Sequence, residues 1–172
     1  PVLELRYNPR YKIDRGLGEG WSHTYMLTLE ENSATGNVTI RGETGFGWLY
    51  KTKGDGTYES APYDRSQLRK VGNTFISTLK NGTEYIYNQY GRLASIVDRN
   101  NNALILNYNA DGLLETVADN FGRTLQFTYE DDHLKTVTDP NTNQYRFVYQ
   151  AAQDGAYNLI YTAYPDATQK QF

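Results

Sequence analysis

Apolar and polar residues alternate along most of this chain at the period-two spacing of half-buried β-strands. Alternation opens at residues 2–8, and a turn-rich stretch holding Gly16, Gly18 and Gly20 follows. A long strand is then expected over residues 21–30, with Trp21, His23, Tyr25, Leu27 and Leu29 on one face and Ser22, Thr24, Met26 and Thr28 on the other. Turn-forming residues at 32–37 and 54–56 bracket strands expected at 38–40 and 46–52. Asn81-Gly82, between residues 75–79 and 83–87, has the composition of a two-residue hairpin turn. Gly, Asn and Asp interrupt the chain roughly every ten residues, too often for helices of ordinary length. The least patterned stretch, 60–70, is the one place where a short helix fits the sequence.

From residue 85 onward the alternation repeats. Tyr87, Tyr108, Tyr129 and Tyr149 are spaced 21, 21 and 20 residues apart, each closing a short aromatic or aliphatic run. Residues 87–98 align without a gap to 108–119, and 129–139 form a third copy one residue shorter. Gly91 and Gly112 occupy one turn position, His133 fills that slot in the third copy, and Asp98, Asp119 and Asp139 begin a second turn. The first strand of each unit alternates cleanly. The second does not: Leu93 and Ile96, Leu114 and Val117, Leu134 and Val137 stand three apart, which points to a bulge or to burial on both faces. One such unit buries too little apolar surface to fold alone, so its strands must pair with their neighbours.

Composition fits this picture. Aromatics reach 14 %, with sixteen tyrosines, while hydrophobic residues make up only 38 %, a balance suited to wide, partly wetted sheets. The net charge of −3 comes with scattered lysines and arginines, which argues against a nucleic-acid surface. No apolar run is long enough to span a membrane as a helix. Cysteine is absent, so disulfides and thiolate metal sites are excluded. The chain enters a strand-like segment at once and closes without a cap, as expected of a piece of a longer protein.

Tyr-x-x-x-Gly-Arg-Leu-x-x-Ile-x-Asp, carried by Tyr87, Gly91, Arg92, Leu93 and Asp98 and echoed from Tyr108 and Tyr129, resembles the YD repeats of the Rhs family. Upstream, Gly16, Gly18, Gly20, Trp21, His23 and Tyr25 resemble the Gly-x-Gly-x-Gly-Trp-x-His-x-Tyr stretch that precedes those repeats in bacterial Rhs and wall-associated polymorphic toxins. The resemblance runs from about residue 5 to 150. It implies an all-β fold of antiparallel hairpins forming curved sheets, a slice of the hollow shell that encloses a C-terminal toxin in this family; related shells occur in insecticidal toxin complexes and teneurins. The organisation it suggests is an N-terminal region over 1–80, repeats over 81–150 (about 85–105, 106–126 and 127–146), and a further truncated repeat over 147–172. Its partners would be the rest of the same polypeptide, and the implied location is secreted or cell-surface. Residues 139–143 lack the Gly of the family's self-cleavage motif, and no protease residue is carried over.

Candidate chemistry is sparse. Recurring aspartates fit turn caps better than a catalytic pair, which needs two unlike carboxylates converging on one cleft. Asp111 and Asp131-Asp132 lack EF-hand spacing, and two histidines, His23 and His133, cannot furnish a multi-histidine site. His23 lies on the apolar face of its strand and reads as a hydrogen-bonded structural residue. The glycines at 16–20 lack the Lys-Ser/Thr end of a phosphate loop. No catalytic, cofactor or metal residue is therefore assigned, and the expected role is structural. The alternative is a carbohydrate-binding surface module using Tyr85, Tyr90 and Trp48, against which stands a ladder of tyrosines packed within the sheet. Exposed sheet edges would favour self-association by strand pairing.

Overall fold

The computed structural model describes residues 1–62, 64–151 and 156–172. All regular structure among them is β, and the registered strand pairs are antiparallel. β1 (Leu5–Tyr7) pairs with β2 (Trp21–His23). A four-stranded sheet follows in the order β3 (Thr28–Glu31), β4 (Val38–Arg41), β5 (Gly47–Thr52) and β6 (Tyr58–Glu59). The remaining strands form an eleven-stranded meander in chain order: β7 (Gln67–Val71), β8 (Thr74–Thr78), β9 (Glu84–Tyr87), β10 (Leu93–Val97), β11 (Ala103–Tyr108), β12 (Leu114–Asp119), β13 (Thr124–Glu130), β14 (His133–Thr138), β15 (Gln144–Ala151), β16 (Tyr157–Ala163) and β17 (Gln169–Gln171).

The chain divides into two compact units. One comprises residues 1–24 and 106–172; the other comprises residues 25–105. In the first, Leu17, Leu114, Val117, Leu125, Phe127, Leu134, Val137, Phe147 and Leu159 are buried together with His23. The second buries Tyr25, Leu29, Val38, Ile40, Leu68, Phe75, Tyr87 and Leu93, and near them Tyr50. The hydroxyls of Tyr50 and Ser66 both donate to Asp64 Oδ2, at 3.0 and 2.8 Å. That network satisfies groups whose burial unpaired would be costly.

Three local expectations are corrected. The strand expected over 21–30 is two strands, because β2 pairs with β1 while β3 pairs with β4, and residues 24–27 turn between them. No helix occurs in 60–70 among the described residues; β7 occupies its C-terminal part, and Tyr63 lies outside the described residues. The Asn81-Gly82 hairpin is wider than two residues. Leu79 N donates to Thr83 O and Gly82 N donates to Leu79 O, with a positive φ at Gly82 (85°) and none at Asn81. This is a turn closed by a left-handed glycine, in place of a two-residue turn that requires both central residues to be left-handed.

The repeat hairpins as candidate functional site

In three hairpins, β9–β10, β13–β14 and β15–β16, the second strand carries one extra residue. Tyr87 pairs with Leu93 while Ile86 pairs with Ser95; Tyr129 pairs with Leu134 while Thr128 pairs with Thr136; Tyr149 pairs with Leu159 while Val148 pairs with Tyr161. Ala94, Lys135 and Ile160 are therefore bulged out of the ladder. The bulge explains the apolar pairs three apart, because it lets Leu134 (0 % exposed) and Val137 (2 %) share the buried face. First strands alternate plainly, with Leu125 and Phe127 buried and Gln126 and Thr128 exposed.

Two repeat tyrosines, Tyr129 and Tyr149, bond back to the second strand of the preceding hairpin. Tyr149 Oη donates to Leu134 O at 2.8 Å, and Tyr129 is hydrogen-bonded to the backbone of Leu114. Burial raises the pKa of Tyr129, with Tyr108 adding to the effect. Burial also raises that of Tyr149, to which Asp14 and Tyr129 contribute. These rings thus form a row, each one perturbing the next. Tyr87 is fully buried and Tyr108 half-buried at the end of its strand.

Turns repeat as faithfully. At residues 88–92, 98–102, 109–113, 119–123 and 139–143, the first residue's N–H donates to the carbonyl four residues on and accepts at its own carbonyl from the N–H three residues on. Asp98 Oδ1 accepts from Asn100 N and Asn102 N at 2.7 and 3.0 Å; Asp119 Oδ1 from Phe121 N and Arg123 N at 2.9 and 3.0 Å; Asp139 Oδ1 from Asn141 N and Asn143 N at 2.8 and 3.0 Å. The Asn102 amide, then backbone N–H groups, hold Asp98 below the usual carboxylate range, and Asn143 does the same for Asp139. Burial pushes Asp119 up, but hydrogen bonds from Arg123 and Phe121 outweigh it and its pKa is lowered. All three are ionised turn caps with engaged oxygens.

Gly112 occupies the left-handed position of its turn. Gly91 does more: its φ is 71°, Leu29 N donates to its carbonyl at 2.7 Å, and a Cβ there would run into the Leu29 carbonyl oxygen. Only glycine allows strand β3 to approach that turn. Arg92 lies 5.8 Å from the Tyr90 ring, at the exposed turn tip. Trp48 packs edge-on against Phe46 on β5, and Tyr85 is half-buried on β9. The three residues considered for sugar contact thus sit on three different elements.

The upstream glycine segment docks on the repeats of its own unit. Leu134 N donates to Gly16 O at 2.8 Å and Glu19 N to Tyr157 O at 3.0 Å. Gly18, at φ 83°, lies so close to β16 that a Cβ would stand 2.7 Å from Tyr157 O and 2.8 Å from Leu159 N. Gly20 packs against Asn8. Trp21 rests between Tyr7 and Phe172, with ring centroids 5.0 and 4.4 Å away. His23 is 2 % exposed with its ring 5.9 Å from Phe127; burial, with Arg15 nearby, lowers its pKa to about 3, so it is neutral. Tyr25, the last residue of the motif, belongs to the other compact unit.

Asp14 is the residue that sequence reasoning missed. Its Oδ1 accepts from Gly16 N and Gly18 N at 2.8 and 2.9 Å, and its Oδ2 lies 2.8 Å from His133 Nε2. His133 Nδ1 lies 2.7 Å from the carbonyl oxygen of Asp131, and the ring packs on Tyr157 at 4.3 Å. Both ring nitrogens face acceptors, an arrangement that favours the doubly protonated ring. Burial opposes that charge, yet the bonds to Asp14 and Asp131 prevail and the pKa stands above the ordinary 6.5. Nothing periodic marks Asp14. The only local signal is an Asp two residues ahead of a glycine.

Comparison with known proteins agrees with this geometry. Residues 108–144 match the family described as RHS Repeat, a stretch that holds the buried Leu114 and Leu134 and the capping Asp119 and Asp139. No curated protein matches the chain. With their tyrosine-ended strands and Asp-capped turns, residues 108–144 are thus similar to the Rhs/YD-repeat family.

Proposed function

We propose that this chain is a non-enzymatic wall segment of an exported Rhs/YD-repeat protein, contributing to a β-shell that encapsulates or displays a C-terminal toxin. The observation that carries this reading is the recurrence of one bulge at the same place in three hairpins, β9–β10, β13–β14 and β15–β16. A bulge bends its strand and increases the local twist, so the same bulge recurring in three hairpins bends the sheet repeatedly. Strands joined in chain order by near-identical turns let such a wall grow one hairpin at a time. Titratable groups of the repeats serve as caps and clasps, which suits scaffolding. An extracellular or cell-surface setting goes with this role.

Limited proteolysis tests the proposal. When these repeats are joined to the chain that follows them in the parent protein, the downstream segment should resist protease while the wall is intact. It should become sensitive in a Leu134→Asp variant that opens the wall. A downstream segment cleaved equally fast in both would show that the repeats enclose nothing.

A further inference from the structure

Residues 8–20 form a loop between β1 and β2 that is closed at its own base. There Asn8 N donates to Gly20 O at 2.9 Å, so the loop can lift without breaking the β1–β2 pairing. Its tip lies on the repeat hairpins of the same unit. Asp14 meets His133 on β14, Gly16 O accepts from Leu134 N, and Glu19 N donates to Tyr157 O on β16. Leu17, 0 % exposed, anchors the tip, while Arg10, Lys12 and Ile13 are exposed.

Of these contacts, the one at His133 depends on a proton. Nε2 lies 2.8 Å from Asp14 Oδ2 and Nδ1 lies 2.7 Å from Asp131 O. A neutral imidazole has one N–H and one lone pair. In either tautomer a ring lone pair would point at an oxygen at one of these distances, and the charge-assisted bond to Asp14 would be lost. The other groups facing the ring come from every element around it. The Asp132 carboxylate, in the ring's own turn, favours the cation. Tyr149 on β15 and Tyr157 on β16 pack against the ring at 5.2 and 4.3 Å between centroids. In the cleft beside it Lys135 is paired with Glu130 at 2.8 Å, and Arg146 opposes the cation. Burial opposes it too, yet the bonds to Asp14 and Asp131 prevail and the folded pKa stands above 6.5.

We infer that residues 8–20 are a proton-operated latch: doubly protonated His133 holds the loop on the hairpins through Asp14, and loss of one proton lets the loop lift about its Asn8–Gly20 base. Lifting withdraws Leu17 from the hairpins and frees the Leu134 amide and the Tyr157 carbonyl. The latch is independent of the encapsulation reading. One-proton linkage gives its pH dependence. The open loop leaves His133 near its ordinary 6.5 and the closed loop holds it higher. The opening constant is therefore level below 6.5, rises about tenfold per pH unit between the two values, and is level again above the higher one.

Hydrogen exchange at single amides of the intact chain, corrected for the intrinsic effect of pH, tests the latch. The Glu19 and Leu134 amides should lose protection as pH rises from 6.5 and then level off. Those of Asp119 and Asp139, bonded within their own turns, should keep theirs. His133→Gln, uncharged at every pH, should hold the loop at the alkaline level of opening and remove the pH dependence. Should that variant fail to fold, the pH series on the unsubstituted chain decides. The latch is refuted if Glu19 and Leu134 stay equally protected across that range, or if their pH dependence survives in His133→Gln. A parallel loss at Asp119 and Asp139 refutes it as well, since the whole unit would then be loosening and the loop would not be moving on its own.

Discussion

In residues 14–18 and again in residues 119–123, one aspartate oxygen accepts the backbone N–H groups two and four residues ahead. The second oxygen separates the two segments. In Asp119 it takes the Nε–H of Arg123 at 2.6 Å, four residues away and largely in solvent. In Asp14 it takes His133, 119 residues away and only 15 % exposed. The glycines differ in the same way. Gly122 has nothing within 4 Å of where a Cβ would stand, whereas Gly18 abuts the backbone of β16. One local plan therefore makes a turn closed mainly from within in one place, with only the Pro1 ammonium at 3.9 Å reaching Asp119 Oδ2 from afar, and a long-range clasp in the other. What decides is whether the surroundings supply a partner for the outer oxygen and a wall for the glycine.

The sharpest break in this comparison is an alanine at each glycine. Gly18→Ala combines a left-handed φ with backbone collision and should cost roughly 2–5 kcal/mol. Gly122→Ala carries only the left-handed penalty, about 1–2 kcal/mol. Urea unfolding of the two variants compares them directly, and equal losses would show that Gly18 is not packed as described. Next in size is the carboxylate. Asp14→Asn weakens a charge-assisted bond and should cost about 1.5–3 kcal/mol. It should also speed hydrogen exchange at the Leu134 and Glu19 amides, whereas Asp119→Asn should speed exchange only within its own turn.

Proton linkage distinguishes the two histidines by sign. The folded pKa of His133 is raised, so its contribution is complete below the unfolded value of 6.5 and is lost as pH rises through the folded value. That of His23 is lowered to about 3, so its contribution is complete above 6.5 and is lost as pH falls from 6.5 toward 3, by about 1.4 kcal/mol per pH unit. NMR titration should place the two on opposite sides of 6.5, and His133 in Asp14→Asn should move back toward it. A His133 pKa indifferent to Asp14 would break the clasp. The smallest effect is a gain. Thr142 occupies the left-handed position that Gly122 fills in its own turn, at φ 68°, and Thr142→Gly should stabilise by up to about 1 kcal/mol in the same urea assay.

Much of the fold was legible because its determinants are short-range. Alternation at 124–129 fixed which residues of β13 face the core, and the spacing of Leu134 and Val137 already required a bulge or two-sided burial. Only the register, with Tyr129 opposite Leu134 and Thr128 opposite Thr136, selects the bulge. The continuous alternation at 21–30 misled, because a side-chain pattern does not record which neighbour each half pairs with. Asn81-Gly82 misled for a related reason: the dipeptide tolerates more than one turn, and pairing of β8 with β9 chose the wider one. The tyrosine row was foreseen as packing within the sheet, but the hydroxyl bond of Tyr149 to a bulge carbonyl was not.

By itself, then, the sequence determined an antiparallel repeat of hairpins, where its turns fall and which residues alternate inward, since each depends on residues within one hairpin. The tertiary structure alone decided that Asp14 closes on His133 and that Gly18 must be bare. These depend on backbone segments meeting across more than a hundred residues of chain. No local pattern encodes such a meeting, because its energy is set by the partner's position in space and not by its distance along the chain.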